Sequence, residues 1–247
     1  MKAFYFGRFQ IHVIINHYKK GVSYMKDLSL KQAIESRHSI KEFNPDITIP
    51  HEIMEEMIAL ATKAPSSLNL QPWRFVVVES DEAKAAIRDH VHFNTRQLDT
   101  SSAFVLVLSD NNHKNDLDRI MQQNVKEGYM NQIVKVENTK VMQQLIDQTP
   151  VEFMYAQGMM DSAMAAMQFM LVAKDYGFDT NPIGGFDRGA VLQALNIDGE
   201  RYAPVMFIAI GIAAKEHYPS SRYDVSEILT YNQSETTFVG TKKPTLS

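Results

Sequence analysis

Residues 64–75 restrict the fold of this chain more than any other stretch. They follow a helical pattern, include two prolines, and lead directly into the apolar run of residues 76–78. Pro65 and Pro72 fix the backbone angle φ at both ends of the turn. Between them lie two hydroxyl and two amide side chains, which can bond the heteroatoms of a ligand. The sequence therefore predicts a helix, a polar functional loop and a strand in immediate succession.

The composition excludes several kinds of chemistry. The chain has 247 residues and no cysteine, so disulfides, thiolate catalysis and cysteine-ligated zinc or iron–sulfur centres are ruled out. Any redox reaction must then depend on a bound cofactor. The net charge of −4 gives no basic surface field, which argues against a nucleic-acid partner. Since no repeat or linker divides the chain, we expect one domain with short tails.

The first part of the chain predicts two helices, a strand and a third helix. Ser29 can cap a helix that extends to about Ser36. Pro50 stands near the start of a second helix, where its missing N–H costs nothing. A strand is expected over residues 74–79, and Ser80 is placed to cap a helix of about ten residues after it.

The rest of the chain predicts a buried strand, a helical excursion and a long helix. Residues 103–108 are a near-continuous apolar run, typical of a central strand buried on both faces. Residues 111–150 are polar and helical in composition, which predicts one or two helices standing off the core. Residues 151–176 form a long helix that is apolar almost all the way round, so we expect burial on most sides. A short helix capped by Asp187 and a last strand over residues 203–210 complete the pattern.

Five short motifs follow one another along the chain. They are Glu35-Ser36-Arg37-His38-Ser39-Ile40-Lys41-Glu42-Phe43, the loop of residues 64–75, Phe93-Asn94-x-Arg96-x-x-Asp99-x-Ser101, Asn181-Pro182-Ile183-Gly184-Gly185-Phe186-Asp187, and a strand ending near Gly211 with Arg222 after it. In this order they resemble the nitroreductase family of flavin mononucleotide (FMN) oxidoreductases. The resemblance covers roughly residues 25–232.

This resemblance implies an α+β nitroreductase-like fold, in which helices wrap a mixed central sheet and two chains form an intertwined homodimer. It also implies an FMN-dependent enzyme that oxidises NADH or NADPH and reduces nitroaromatics, quinones or similar small-molecule acceptors. Hydride would pass through flavin N5 in a ping-pong sequence, with no side chain as an obligatory acid or base. Residues 111–150 would roof the substrate pocket. We expect a cytoplasmic protein with no nucleic-acid or membrane partner.

Two other interpretations stay open. A more specialised reaction on the same fold, such as flavin reduction for a partner enzyme or reduction of an activated alkene, fits the same motifs. A flavin-binding protein without turnover would fit them as well. Rapid bleaching of the flavin by NADH or NADPH would distinguish an enzyme from a binding protein.

The motif match assigns the first cofactor contacts by position. Arg37 and Ser39 would bind the ribityl phosphate, because a guanidinium and a hydroxyl both donate to phosphate oxygens. His38 would contribute its backbone or its packing. Lys41 would stabilise the negative charge of the reduced flavin near N1 and O2, and Asn94 would contact the N3–H edge of the ring.

The remaining contacts come from three other places. The segment around Gly184 and Gly185 would aim backbone donors at N5 and O4 without a side chain in the way, and Pro182 and Ile183 precede it. Arg222 would be a second phosphate ligand. The second subunit would contribute four residues of the polar loop: Pro65, Ser66, Ser67 and Asn69.

Some positions depart from the family pattern or carry less specific signals. Ser220 stands where many relatives have a second basic residue near the phosphate. Gly184 stands where many have glutamate, so a negative charge is lost while the backbone N–H is kept. Asp161 occupies a helix position where some relatives have glutamine, and we expect it to act behind the cofactor contacts. Trp73 is expected to be a core anchor.

No metal site is predicted. His90 and His92 are two residues apart, so on a helix they would point to different faces. The sequence has no dense carboxylate cluster.

The two ends of the sequence lie outside the resemblance. Residues 1–24 are expected to be an N-terminal extension. A natural start at Met25 is one explanation for it, and an arm that packs on a partner is the other. Residues 233–247 contain a glycine, a proline and two lysines and are expected to be a flexible tail.

Overall fold

A computed structural model describes residues 27–232 of the chain. The expectations for residues 1–24 and 233–247 therefore lie outside the described residues. The chain forms two units, Met1–His217 and Tyr218–Ser247. Within the described residues, no helix is both long enough and apolar enough to cross a bilayer.

The described part of the first unit contains eight α-helices and four β-strands. The helices are α1 (Leu30–Ser36), α2 (His51–Ala61), α3 (Asp81–Ile87), α4 (Thr95–Thr100), α5 (Leu117–Lys126), α6 (Gln132–Gln148), α7 (Val151–Asp175) and α8 (Arg188–Ala194). The strands are β1 (Trp73–Val78), β2 (Ala103–Asp110), β3 (Asp179–Ile183) and β4 (Tyr202–Gly211). The described part of the second unit contains one short helix, α9 (Val225–Ile228).

The four strands form one sheet in the order β1–β2–β4–β3. Every neighbouring pair is antiparallel, and the register of β2 against β4 shifts between Val107 and Leu108. Among the described residues, the parallel pairing is an isolated bridge between Ser39 and Thr180. The predicted α+β fold is confirmed, but its named strands form an antiparallel sheet and not a mixed one. The apolar run of β2 reflects burial on both faces, which antiparallel strands also experience when helices cover both sides.

Strand β2 lies at the centre of two hydrophobic layers, as predicted. All of its residues are buried. Val105 and Val107 pack on one face with residues of α2 and α7. Phe104 and Leu106 pack on the other face with residues of α3 and α8. The sheet is therefore covered on both sides, which fixes the ends of its strands as the places where loops can build a site.

Three helix starts follow from local sequence, and the structure confirms them. The Ser29 hydroxyl accepts from Gln32 N, and the Gln32 side chain in turn accepts from Ser29 N. The side chain of Ser80 caps α3 and that of Asp187 caps α8, each accepting a backbone N–H three residues later. Each of these caps satisfies a backbone donor that the helix itself leaves open.

Strand β3 was not predicted. It begins after Gly177, which has φ of +86° and ends the helical turn after α7. The strand contains Asn181 and Pro182, which are rare inside sheets. Because β3 is the last strand in the sheet order and its other side carries an isolated bridge at Thr180, a proline that cannot donate is tolerated there.

The prediction that α7 is buried on most sides is wrong for one stripe. Phe153, Met160, Met164 and Met167 are all exposed. Their spacing of seven, four and three residues places them on a single helix face. The opposite face packs against α2 and the sheet. An apolar sequence does not reveal whether a helix face is covered by its own chain.

The region of residues 111–150 contains α5 and α6, which pack on each other. A small cluster of buried apolar residues lies beneath them and includes Leu117, Ile120 and Ile146. Leu70, from the polar loop, belongs to the same cluster. The excursion is thus packed onto the loop that the sequence singled out.

Candidate functional site

The first motif lies beside strand β3. After α1 the chain turns and Ile40 N–H donates to the Thr180 carbonyl oxygen over 3.1 Å, next to the bridge between Ser39 and Thr180. Strand β3 ends at Ile183, and the glycine segment follows at once. The backbone therefore brings the Arg37–Lys41 stretch alongside the strand that leads into Gly184.

Two cations of this motif are available to a ligand. The Arg37 backbone caps the end of α1, and its half-buried guanidinium has no ion-pair partner among residues 27–232. Lys41 is exposed and likewise unpaired within the described residues. The ring of His38 stacks on that of His217, with centroids 3.4 Å apart. This side of the site thus offers positive charge that no acidic side chain of residues 27–232 neutralises.

The glycine segment offers backbone donors. Neither Gly184 N–H nor Gly185 N–H has a hydrogen-bond acceptor within the described part of the chain. A Cβ atom added at Gly184 would meet nothing within 4 Å, so the surface over it is open. A Cβ at Gly185 would lie 3.8 Å from Asn94 Nδ2, an ordinary contact. Two adjacent N–H groups are therefore free to donate to an acceptor.

Asn94 fastens this segment in place. Its Nδ2 donates to the carbonyl oxygens of Val91 and Gly185, each over 3.0 Å. Its Oδ1 accepts from Gln97 Nε2 over 3.1 Å. Both amide hydrogens are used, so the capacity that Asn94 keeps for a ligand is the second lone pair of Oδ1.

Strand β3 carries two buried polar atoms without partners. Thr180 Oγ1 and Asn181 Nδ2 are both buried and form no hydrogen bond among the described residues. Buried polar groups are normally satisfied, because leaving one unpaired costs free energy. Both lie in the strand that runs into Gly184, so this part of the molecule has unused polar capacity that fits a polar ligand.

The polar loop contains unusual backbone angles. It forms a short 3₁₀ turn, Ser67–Asn69, in which Leu68 has φ of +50° and Asn69 of +56°. Gln71 follows with φ of +48°. A positive φ is strained for a bulky residue such as leucine and tends to occur at functional sites. The surrounding structure must therefore hold the loop in shape.

Asp161 is one of the groups that hold the loop. This residue of α7 is only 1% exposed, and its Oδ2 accepts from Ser67 N–H over 2.9 Å. Its Oδ1 accepts from Gln157 Nε2 over 2.8 Å, and it makes no ion pair within residues 27–232. Inside the loop, Ser66 Oγ accepts from Gln71 N–H over 3.1 Å. Asp161 thus holds the backbone of the loop through Ser67.

A second support comes from Arg74 at the start of β1. Its Nη1 donates to the Gln71 carbonyl oxygen over 3.0 Å, and its Nη2 donates to Asp110 Oδ2 over 2.9 Å. Asp110 is fully buried at the end of β2 and also accepts two hydrogen bonds from Arg201. Burial raises the pKa of Asp110, but the hydrogen bond from Arg201, the Asn112 N–H and the two arginine charges outweigh it. The net pKa is below its ordinary value.

The predicted site residues therefore fall into three places. The structure brings Arg37, His38, Ser39 and Lys41 beside β3, whose residues Pro182 and Ile183 lead into the glycine segment that Asn94 holds. It places Pro65, Ser66, Ser67 and Asn69 in the loop held by Asp161 and Arg74. In the second unit, Arg222 donates to Ser220 Oγ and to the Ser221 carbonyl oxygen. No cluster that could hold a metal ion occurs among residues 27–232.

Sequence reasoning missed Thr180 as a polar group of β3 and Asp110 as a support of the loop. One signal was visible in the sequence, since Ser109 and Asp110 directly follow the apolar run of residues 103–108, and polar side chains in a buried strand need partners.

Trp73, predicted as a core anchor, is buried against Ala64 and Ala165.

Comparison with known proteins gives consistent matches. The model of the nitroreductase family matches residues 34–212. YdgI of Bacillus subtilis, which carries the name of an NAD(P)H nitroreductase, is 37% identical over 204 residues, covering 83% of this chain and 98% of YdgI. The CLA biosynthesis enone reductase of Lactiplantibacillus plantarum is 34% identical over 196 residues, covering 79% of this chain and 90% of that protein.

A solved structure shows the same fold with a ligand. It is a nitroreductase of Exiguobacterium sibiricum in complex with FMN, which superposes with a TM-score of 0.81 at 35% identity. The match covers 83% of this chain and 98% of that one.

Proposed function

Because the chain belongs to the nitroreductase family, we propose that it is a cytoplasmic, FMN-dependent oxidoreductase. It takes electrons from NADH or NADPH and passes them to a nitroaromatic, a quinone or a similar small acceptor. The relative from Exiguobacterium sibiricum binds FMN, and the relative from Bacillus subtilis is named for NAD(P)H. A bound flavin would supply the redox group, since the sequence contains no cysteine and residues 27–232 contain no cluster of side chains that could hold a metal ion.

The proposal depends on one observation: two cations without ion-pair partners and two backbone N–H groups without acceptors lie near β3, within the described residues. Arg37 and Lys41 have no acidic partner in the described part of the chain, and Gly184 and Gly185 present unused N–H groups. FMN carries a phosphate for the cations and ring acceptors for the N–H donors. The partnerless Thr180 Oγ1 adds polar capacity on the same strand. These groups fit FMN.

Each residue would have a limited task, since the cofactor carries the difficult chemistry. When bound, FMN would accept hydride at N5 from the nicotinamide and later deliver it to the acceptor, in ping-pong order. Arg37 and Ser39 would bind its phosphate, and Lys41 would stabilise negative charge at the pyrimidine edge. Gly184 and Gly185 would hold the ring through backbone N–H groups. No side chain is required as an acid or base.

We also propose that the loop acts in a homodimer, reaching the cofactor bound by a second copy. The exposed stripe of Phe153, Met160, Met164 and Met167 on α7 supports this, because a contiguous apolar face on a soluble chain usually marks a protein interface. Burying the stripe against a second copy would cover it. The same helix holds the loop through Asp161, so dimer formation would position the loop directly.

Reduction of an activated alkene is a second candidate. It is favoured by the likeness to the enone reductase of Lactiplantibacillus plantarum at 34% identity, since that relative is named for such a reaction. Both candidates use the same cofactor and electron donor. A turnover screen of the holoprotein with nitroaromatic, quinone and enone acceptors separates them.

The cofactor assignment is tested by replacing Arg37. Arg37→Ala should weaken FMN binding by about 1.5–3 kcal/mol, because it removes charge-assisted hydrogen bonds to the phosphate. Titration of the apoprotein with FMN, followed by flavin fluorescence, measures the change. Lys31→Ala is the matched control, because Lys31 is an exposed cation on α1 whose salt bridge is to Glu35.

Two results would contradict the proposal. Equal FMN affinity for Arg37→Ala and Lys31→Ala would show that Arg37 does not contact the phosphate. A purified protein that is colourless and takes up no added FMN would remove the cofactor altogether.

A further inference from the structure

A cleft of about 270 Å³ lies between the polar loop and α5. Six residues line it: Asn69, Gln71, Arg119, Ile120, Gln123 and Asn124. Its loop wall contains Asn69 and Gln71, both with positive φ, and its other wall is one face of α5. None of its described lining residues is acidic, so Arg119 carries the one formal charge among them.

Arg119 is the outer end of a chain of alternating charges. Arg201 pairs with Asp110 over 2.9 Å, and Asp110 pairs with Arg74 over 2.9 Å. Arg74 also contacts Asp116 over 3.3 Å, and Asp116 contacts Arg119 over 3.1 Å. Three arginines and two aspartates leave one positive charge in excess.

One end of this chain of charges, Arg119, lies at the cleft. The inner part of the chain is anchored at Asp110, which is fully buried, whereas the Arg119 side chain is 75% exposed. Asp116 is shared between Arg74 and Arg119, so it cannot fully neutralise either one. Arg119 contacts Asp116 through Nη2, and a guanidinium has five N–H donors. Most of its donors therefore remain for a ligand.

The side-chain amides that line the cleft differ in how far their donors are already used. Gln71 Nε2 is turned back onto Asn69, at 3.3 Å from both its backbone oxygen and its Oδ1. Gln123 Nε2 donates out of the cleft to Glu127 over 2.6 Å. The Asn124 side chain makes no hydrogen bond among residues 27–232. Within the described residues, Arg119, Asn124 and the Asn69 Nδ2 group thus keep donors that can reach a ligand in this cleft.

We propose that the cleft binds the carboxylate of an anionic electron acceptor, with Arg119 as the residue that recognises the charge. A planar guanidinium matches a carboxylate in two parallel hydrogen bonds. The link from Arg119 to Asp116 already restricts its side chain, so less conformational freedom is lost on binding. This inference rests on the proposed function, because the loop wall of the cleft is the part expected to reach the cofactor.

Two acceptors of matched shape test the inference. The holoprotein is assayed with NADPH or NADH and either para-nitrobenzoate, which is anionic, or para-nitrobenzamide, which is neutral. The readout is the ratio of kcat/KM for the anion to that for the amide. Arg119→Gln should lower this ratio about tenfold, the factor that loss of one charge-assisted hydrogen bond gives. Arg119→Lys should retain part of the ratio, because the charge is kept and the fork is lost.

The control removes a charge from the same helix. Lys126 lies in the last turn of α5 and outside the cleft. Lys126→Gln should therefore keep the ratio of kcat/KM values within about twofold of the wild-type ratio. Raising the salt concentration should reduce the wild-type ratio, since an exposed charge is screened.

The possible outcomes separate this inference from the proposed function. If neither NADH nor NADPH bleaches the flavin of the wild-type holoprotein, the proposed function itself fails. If the flavin is bleached but neither acceptor is reduced, the carboxylate subsite is wrong. If both are reduced and Arg119→Gln leaves the ratio unchanged, the carboxylate subsite is wrong while the oxidoreductase stands. An equal loss with both acceptors would likewise overturn charge recognition by Arg119.

Discussion

Two arginine–aspartate pairs in this molecule have nearly the same geometry and very different surroundings. Arg201 donates to Asp110 through Nε over 3.1 Å and through Nη2 over 2.9 Å. Arg88 donates to Asp99 through the same atoms over 3.1 and 2.8 Å. The Asp110 side chain is 0% exposed and that of Asp99 is 43% exposed. The buried pair is linked to the polar loop, because Asp110 also accepts from Arg74, which holds the Gln71 carbonyl oxygen.

The difference shows where this fold depends on a single side chain. An exposed pair exchanges water contacts for protein contacts and is screened, so it contributes little. A buried carboxylate is different, because removing its charge leaves its partners without compensation. Asp110 compensates two arginines, and one of them, Arg74, also holds the Gln71 carbonyl of the loop. We therefore expect the loop to depend on the buried Asp110 and its bond to Arg74, although the bond lengths at Asp110 are no shorter than those at the exposed Asp99.

The largest effect should come from Asp110→Asn. It should lower the free energy of unfolding by about 3 kcal/mol, at the low end for a broken buried pair because both guanidiniums reach solvent. Asp99→Asn removes the same charge from the exposed pair and should cost less than about 1 kcal/mol. Urea denaturation of the two variants measures both values. Similar losses for the two would show that burial does not separate these regions.

The same pair of variants gives a pH test. The pKa of Asp110 is lowered in the folded protein from an ordinary value of 3.8, so the unfolded chain holds that proton more tightly. The stability that this carboxylate provides is therefore complete above pH 3.8 and is lost as the pH falls through the lower, folded pKa. Asp110→Asn should show a weaker dependence of stability on pH in that acidic range than the wild type. An unchanged dependence would contradict the assignment.

A second matched pair compares Asp161 with Asp147. Each accepts from a glutamine four residues earlier over 2.8 Å, but Asp161 is buried and also accepts Ser67 N–H, whereas Asp147 is exposed. Asp161→Ala should cost about 2 kcal/mol, because it leaves two donors unsatisfied. Asp147→Ala should stay within about 0.5 kcal/mol. Thermal or urea unfolding gives the comparison.

Asp161→Asn then separates charge from hydrogen-bond acceptance. An amide oxygen can still accept Ser67 N–H, so this variant should lose less stability than Asp161→Ala. If asparagine is as damaging as alanine, the loop needs the negative charge and not merely an acceptor.

The sequence predicted features that depend on neighbours in the chain. Ser29, Ser80 and Asp187 were recognised as helix caps because their partners lie three residues away. The bond from Ser67 to Asp161 joins residues 94 positions apart, and that from Arg201 to Asp110 joins residues 91 apart. No local pattern encodes such partners, so the contacts that hold the loop became visible only in the fold.

Two misjudged elements have a similar cause. Strand β3 was missed because Pro182 and Asn181 have low strand propensity, and its position at the sheet edge overrides that preference. The sequence predicts burial on most sides of α7, yet a stripe that includes Met164 is exposed, because an apolar side chain does not state which chain buries it. In both cases the tertiary or quaternary surroundings determine the outcome: whether β3 forms a strand, and whether the α7 stripe is buried.

The smallest effect should come from the glycine segment, whose anchor is neutral. Asn94→Ala removes three neutral hydrogen bonds, those to the Val91 and Gly185 carbonyls and that from Gln97, and should lower the free energy of unfolding by about 1 kcal/mol. The Val91 carbonyl keeps its bond from the Asn94 N–H, and water can replace the bond to Gly185, which is exposed, so the penalty stays below that of Asp161→Ala. Asn115→Ala removes the same amide from an exposed position without a side-chain bond in the described chain and should be nearly silent. A loss for Asn94→Ala as large as that for Asp161→Ala would show that a neutral amide anchors the glycine segment as firmly as a buried carboxylate anchors the loop.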